Sequence, residues 1–73
     1  MKTEGRMKMK LNRQAIDLRR AQQCISIAML ARRAGISASS INNGYKKGVT
    51  AVVAGKIARA LEVDPEEIIL KEE

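Results

Sequence analysis

The side chains best equipped for chemistry lie together between Leu30 and Gly48, in the stretch LARRAGISASSINNGYKKG. Ser37, Ser39, Ser40, Asn42 and Asn43 bring hydroxyls and amides, which donate and accept hydrogen bonds at once. Arg32, Arg33, Lys46 and Lys47 bring positive charge. Nothing here makes or breaks bonds: the chain has no histidine, and no serine stands beside a plausible base. Asp64, Glu66 and Glu67 are accounted for as the start of a helix, not as a metal site. Cys24 is the one cysteine, so neither an internal disulfide nor a Cys/His metal cluster is available; a buried or half-buried apolar role is expected for it. Lys56 follows Gly55, but the distance back to Gly48 is too long and Ile57 stands where a phosphate loop needs Ser or Thr. The expectation is a binding protein with no enzymatic activity, cofactor, metal or small-molecule substrate.

The charge says what kind of surface would be bound. The 73 residues carry a net charge of +6. Residues 1–59 hold thirteen of the fourteen Lys and Arg against Glu4 and Asp17, a balance of +11, while residues 60–73 hold six acids and Lys71, a balance of −5. Such segregation points to a polyanionic partner. Phe and Trp are absent and Tyr45 is the one aromatic, so the core must come from Ile, Val, Leu, Met and Ala, which suits short, closely packed helices. No apolar run is long enough for a membrane span or a signal sequence, and a soluble, intracellular protein is expected.

These residues need elements to hold them. Residues 1–11 are basic, with Met7, Met9 and Leu11 alternating, and are expected to form a flexible arm ahead of a single domain at residues 12–73. The alternation and the lack of an aromatic anchor argue against a membrane-surface helix in the arm. Asn12 can cap a helix over 13–23. Ser26 can cap a second one ending at Gly35, a residue able to take positive φ. Ser37 caps a third over about 38–45, and Thr50 a fourth bearing Val53, Ile57 and Leu61 at intervals of four. Asp64, Pro65, Glu66 and Glu67 signal a fifth helix, after which Ile68, Ile69 and Leu70 would close the core. No strand is expected. The fold class is all-α, a compact five-helix bundle.

Within it, the second and third helices make one unit. Ala31 and Gly35 are small enough to let two backbones approach across a tight turn, Ile36 anchors that turn and Ile41 reaches back to the core. Ala38, Ser39, Asn42, Asn43 and Lys46 are left for an exposed face. This is the arrangement of a helix-turn-helix, whose second helix enters the major groove of DNA. From about Ile16 to Leu70 the sequence resembles the Cro/CI-type, lambda-repressor-like helix-turn-helix domain of phage and bacterial regulators. The resemblance lies in Arg20, Ser26, Leu30–Ala31, the run Ala34-Gly35-Ile36-Ser37, Ile41, and IARALEVDPEEI at Ile57–Ile68.

The resemblance implies a small regulator of transcription, a Cro-like repressor or genetic switch of a phage or mobile element, bound to double-stranded DNA and free to act as a homodimer. It places Ala38, Ser39, Asn42 and Asn43 at base edges: Asn pairs well with adenine, Ser discriminates less, and Ala offers a methyl to thymine. Ser37, Ser40, Arg32, Arg33, Lys46 and Lys47 then fall at phosphates, adding affinity without sequence information.

Three residues depart from the family's pattern. Ile27 stands where Gln commonly binds phosphate. Tyr45 stands where a Glu often pairs with the first-helix arginine, leaving Arg20 to turn to Asp17 or solvent. Gly44 replaces a packing residue, at about 1 kcal/mol of helix propensity. Together they suggest a loosely anchored third helix. They also leave a second reading: an antirepressor that docks on another repressor protein through Ile27, Met29, Ser39, Asn42 and Asn43.

Overall fold

The computed structural model describes residues 8–70. Four helices are present: α1 (Arg13–Gln23), α2 (Ile27–Ala34), α3 (Ala38–Lys46) and α4 (Ala51–Leu61), followed by a single 3-10 turn at Pro65–Glu67. Each helix starts on the cap its sequence supplies. Asn12, Ser26, Ser37 and Thr50 are extended, and their side-chain oxygens accept from the backbone N–H groups of Ala15, Met29, Ser40 and Val53 respectively. Each such bond satisfies a donor that the first turn leaves free, a contribution of about 1 kcal/mol.

Three of the four helices stop by one device. A left-handed residue closes the helix: Cys24 at φ 56°, Gly35 at φ 76° and Glu62 at φ 62°. The apolar residue after it then donates its N–H back into the helix, Ile25 to Arg20, Ile36 to Ala31 and Val63 to Ala58, at 2.9–3.1 Å. The stop also turns these apolar side chains back toward the bundle. Ile25 is buried, and Ile36 and Val63 pack against the core. Cys24 at its left-handed position is exposed, contrary to the half-buried role expected.

Leu30, Ile41, Ile57 and Leu61 form the center of the core with Ile16 from α1, each at most 1% exposed. Full burial of each such side chain contributes about 1.5–3 kcal/mol relative to exposure. Small residues on facing helices, Ala31, Ala34, Ala54 and Ala58, are also buried, allowing α2 and α4 to pack closely.

Two expectations about the ends need correction. The fifth helix is only the three-residue turn, and the Asp64 side chain makes no cap bond. After Ile68, which is fully buried, the chain extends so that Ile69 pairs with Leu11, and Leu70 donates to the Lys10 carbonyl at 2.9 Å. That pairing competes with helix and wins. Ile69 is half-buried, and Leu70, expected in the core, is 44% exposed.

The arm expected over residues 1–11 is part of the domain in its last portion. Met9 pairs antiparallel with Val49 through two 2.8 Å bonds, and Leu11 is 1% exposed. Residues 1–7 lie outside the described residues. The alternation of Met9 and Leu11 with Lys8 and Lys10 is thus the period-two pattern of an extended segment, with the apolar members inward.

Candidate nucleic-acid interface

Three residues, Gly35-Ile36-Ser37, connect α2 to α3. Gly35 supplies the positive φ, Ile36 the apolar anchor and Ser37 the cap. The Ser37 hydroxyl accepts from the Ser40 N–H at 3.2 Å and lies 3.0 Å from the Ser40 hydroxyl. Both serines expected at phosphates are therefore engaged in holding the first turn of α3, with Ser37 exposed and Ser40 half-buried.

Helix α3 has two faces. Ile41 and Gly44 are buried, whereas Ser39, Asn42, Asn43 and Lys46 are exposed at helical spacing, one polar stripe along the outer surface. Of the four residues expected at base edges, three lie on this stripe. Ala38 is half-buried and packs against the core, so its methyl is partly withdrawn.

The third helix is tightly held, not loosely anchored. A Cβ on Gly44 would stand 2.5 Å from Leu11 Cδ1 and 2.8 Å from Val49 Cγ1. The Gly44 carbonyl also accepts from the Leu11 N–H at 3.0 Å. Glycine is there because another segment crosses the helix at that point. The apolar contact missing from α3 is supplied by Leu11.

The arginine of α1 has found its partner on its own helix. Arg20 Nη2 donates to Asp17 at 2.8 Å and Arg20 Nη1 donates to the Ile25 carbonyl at 3.2 Å. Tyr45 receives Arg13 instead, whose guanidinium sits 5.2 Å from the ring centroid. Burial, then the negative charge of Asp17, raises the Tyr45 phenol above its ordinary value of 10.0, against the lowering effect of Arg20 and Arg13.

The cations expected at phosphates are all exposed. Arg33 Nη1 donates to Gln23 Oε1 at 3.1 Å, and Gln23 itself donates to the Leu61 carbonyl at 2.9 Å, so Arg33 is partly committed to the joint between α1 and α4. Arg32, Lys46 and Lys47 have no ion pair among the described residues. Asp17 is shared by Arg13 and Arg20, and Glu67 is held by Arg19.

Residues 15–70, more than half of the chain, match the model of the Cro/C1-type HTH DNA-binding domain. The chain belongs to this family. Its fold and its DNA partner follow: the four helices and the 3-10 turn are a lambda-repressor-like domain whose function is to bind DNA. No curated protein and no solved structure gives a significant match. Among the described residues, no helix of this Cro/C1-type domain is long and apolar enough to cross a membrane, and no group of three or more His, Cys, Asp or Glu could hold a metal ion.

Proposed function

We propose that the protein is a small transcriptional regulator, Cro-like in design, which lays α3 in the major groove of duplex DNA. The observation that carries this reading is the exposed stripe of Ser39, Asn42, Asn43 and Lys46, on a helix whose other face is fixed to the core by Ile41 and Gly44. Asn42 and Asn43 read base edges with bidentate amides, and Ser39 contributes a less selective hydroxyl. Lys46, Lys47 and Arg32 meet phosphates, with Ser37 and Ser40 presenting the first turn of the helix and Arg33 in a lesser part. A rigid mounting favours this use, because base reading requires side chains held in register with the groove.

The antirepressor reading needs Ile27 and Met29 as apolar anchors. Ile27 is half-buried and packs against the core, which leaves Met29, 46% exposed, as a single knob beside a polar helix. That is a thin basis for protein docking, where a few well-packed anchors supply most of the affinity. DNA reading is preferred.

Selection of bound duplexes from a random pool at physiological salt tests it. An enriched motif is expected, and a two-fold motif with half-sites one turn of DNA apart would mark a homodimer. Recovery of no motif, with binding indifferent to sequence, would overturn the base-reading role of α3. A bound repressor protein competing with DNA for the same face would favour the antirepressor reading.

A further inference from the structure

The short segment ahead of α1 brings two cations to the far end of α3. Met9 exchanges both backbone hydrogen bonds with Val49, and Leu11 donates to the Gly44 carbonyl, so the backbone of residues 9–11 is fixed against 44–49. Met9 and Leu11 turn inward, which sends Lys8 and Lys10 to the outside, both exposed. Lys8 Cβ lies 3.1 Å from the position a Cβ on Gly48 would take. Gly48, at φ 95°, follows directly on Lys46 and Lys47. Lys8 therefore stands against the turn that follows Lys46 and Lys47, with Lys10 two residues further along the outer side of the same segment.

Folding alone does not account for this grouping. One cation complements the C-terminal dipole of a helix, and Lys46 already stands in the last turn of α3. Gathering more like charges opposes folding unless an opposite charge answers them. None of the four lysines has an ion pair among the described residues. The segment's own hold on the fold comes from Met9, Leu11 and the backbone bonds and needs no charge at positions 8 and 10.

We infer that Lys8 and Lys10 form, with Lys46 and Lys47, a phosphate-binding ridge at the end of α3 that grips the sugar–phosphate backbone of the duplex. This inference rests on the proposed placement of α3 in the major groove. The ridge clamps one strand beside the end of the helix and fixes how deep and at what angle the helix sits. Lysine suffices for the task, since a phosphate contact without base reading needs only a positive charge within reach of the phosphate oxygens. Because the segment is tied to Gly44 and Val49, the backbone of the ridge is already in place, and only the lysine side chains have to be ordered on contact with DNA.

The test compares the full chain with Lys8→Ala/Lys10→Ala and with Lys8→Arg/Lys10→Arg. Binding to a mixed-sequence duplex is followed by anisotropy over about 50–200 mM salt, with circular dichroism as a check on folding. The alanine pair is expected to lower the slope of log K against log salt by about 2 and to weaken binding roughly tenfold or more at the higher salt, on all sequences alike. The arginine pair is expected to keep the slope. An unchanged slope in a folded alanine pair, with wild-type binding intact, overturns the ridge and leaves the DNA reading standing. Altered sequence preference without a change in slope would make these lysines base readers and would also overturn it. If the alanine pair fails to fold, Lys8→Gln and Lys10→Gln are measured singly, each expected to lower the slope by about 1. Failure of the wild-type chain to bind any duplex sinks the DNA reading, and the ridge with it.

Discussion

Leu11 occupies the space that a side chain on Gly44 would need, its Cδ1 lying 2.5 Å from where that Cβ would stand. The two residues form one joint: Leu11, 1% exposed, completes the inner face of α3, and Gly44 makes room for it. Gly44→Ala gains about 1 kcal/mol of helix propensity but must displace Leu11 and Val49, both enclosed. Overpacking of this kind costs about 1–3 kcal/mol, so urea denaturation should show a net loss of stability. Leu11→Ala should cost about 2–5 kcal/mol. In the double variant the losses should not add, because the shortened side chain leaves room for the new methyl. Additive losses would mean that Leu11 and a side chain at position 44 do not compete for one space.

Under the proposed function, the polar stripe of α3 divides into readers and holders. Asn42→Ala and Asn43→Ala should each lower discrimination between preferred and altered sites by about 1–3 kcal/mol. Lys46→Ala should weaken every sequence alike and reduce the salt slope by about 1. Competition binding with single-base variants of a selected duplex separates the two effects. An unaltered preference in both Asn variants would remove α3 from the groove.

Two helix ends rest on residues poorly suited to left-handed backbone. Cys24 and Glu62 are exposed at φ 56° and 62°, where Gly35 does the same job without a side chain. Relief of the left-handed cost is partly offset by the added freedom of glycine in the unfolded chain. Cys24→Gly and Glu62→Gly should therefore each raise stability by roughly 0.5–1 kcal/mol, while Gly35→Ala should lower it. Thermal melts in reducing buffer would decide, and a lower Tm for Glu62→Gly would contradict the assignment.

Tyr45 sets an alkaline limit. Its phenol is raised in the fold, chiefly by burial and next by Asp17, so between the unfolded and folded values the folded state holds a proton that the unfolded state has lost. The contribution is fully present below pH 10.0, the ordinary value, and is lost as pH rises through the raised folded value. The urea midpoint of the wild-type chain should thus fall more steeply above about pH 10 than that of Tyr45→Phe. Parallel pH profiles for the two proteins would show that the phenol titrates freely.

What the sequence discloses here depends on how far each signal reaches along the chain. Asn12, Ser26, Ser37 and Thr50 are readable as caps because each bonds an N–H three residues on. The stripe Ser39, Asn42, Asn43 and Lys46 is readable for the same reason, by helical spacing around Ile41. Gly44 is not: its meaning lies in Leu11, 33 positions earlier, and in isolation it reads as a weak helix. The alternation of Met7, Met9 and Leu11 is visible in the sequence but too short to announce a paired segment without knowledge of Val49 and Ile69. At the other end, Pro65 and its following acids give every local sign of a helix, and the pairing of Ile69 with Leu11 stops it after one turn. Within the candidate site, the commitment of Arg33 to Gln23 is likewise a long-range fact.

The bond from Leu70 N–H to the Lys10 carbonyl, with that from Asn12 N–H to the Ile68 carbonyl, sews the first described segment to the last. During synthesis Leu11 leaves the ribosome early, yet its seat is built from Gly44, Val49 and Ile69, which are made much later. Until then the seat of Leu11 is incomplete, and α3 lacks its apolar backing. The earliest-made part of the domain is thus the last to be seated, and the helix proposed to read DNA becomes firm only when nearly the whole domain has emerged.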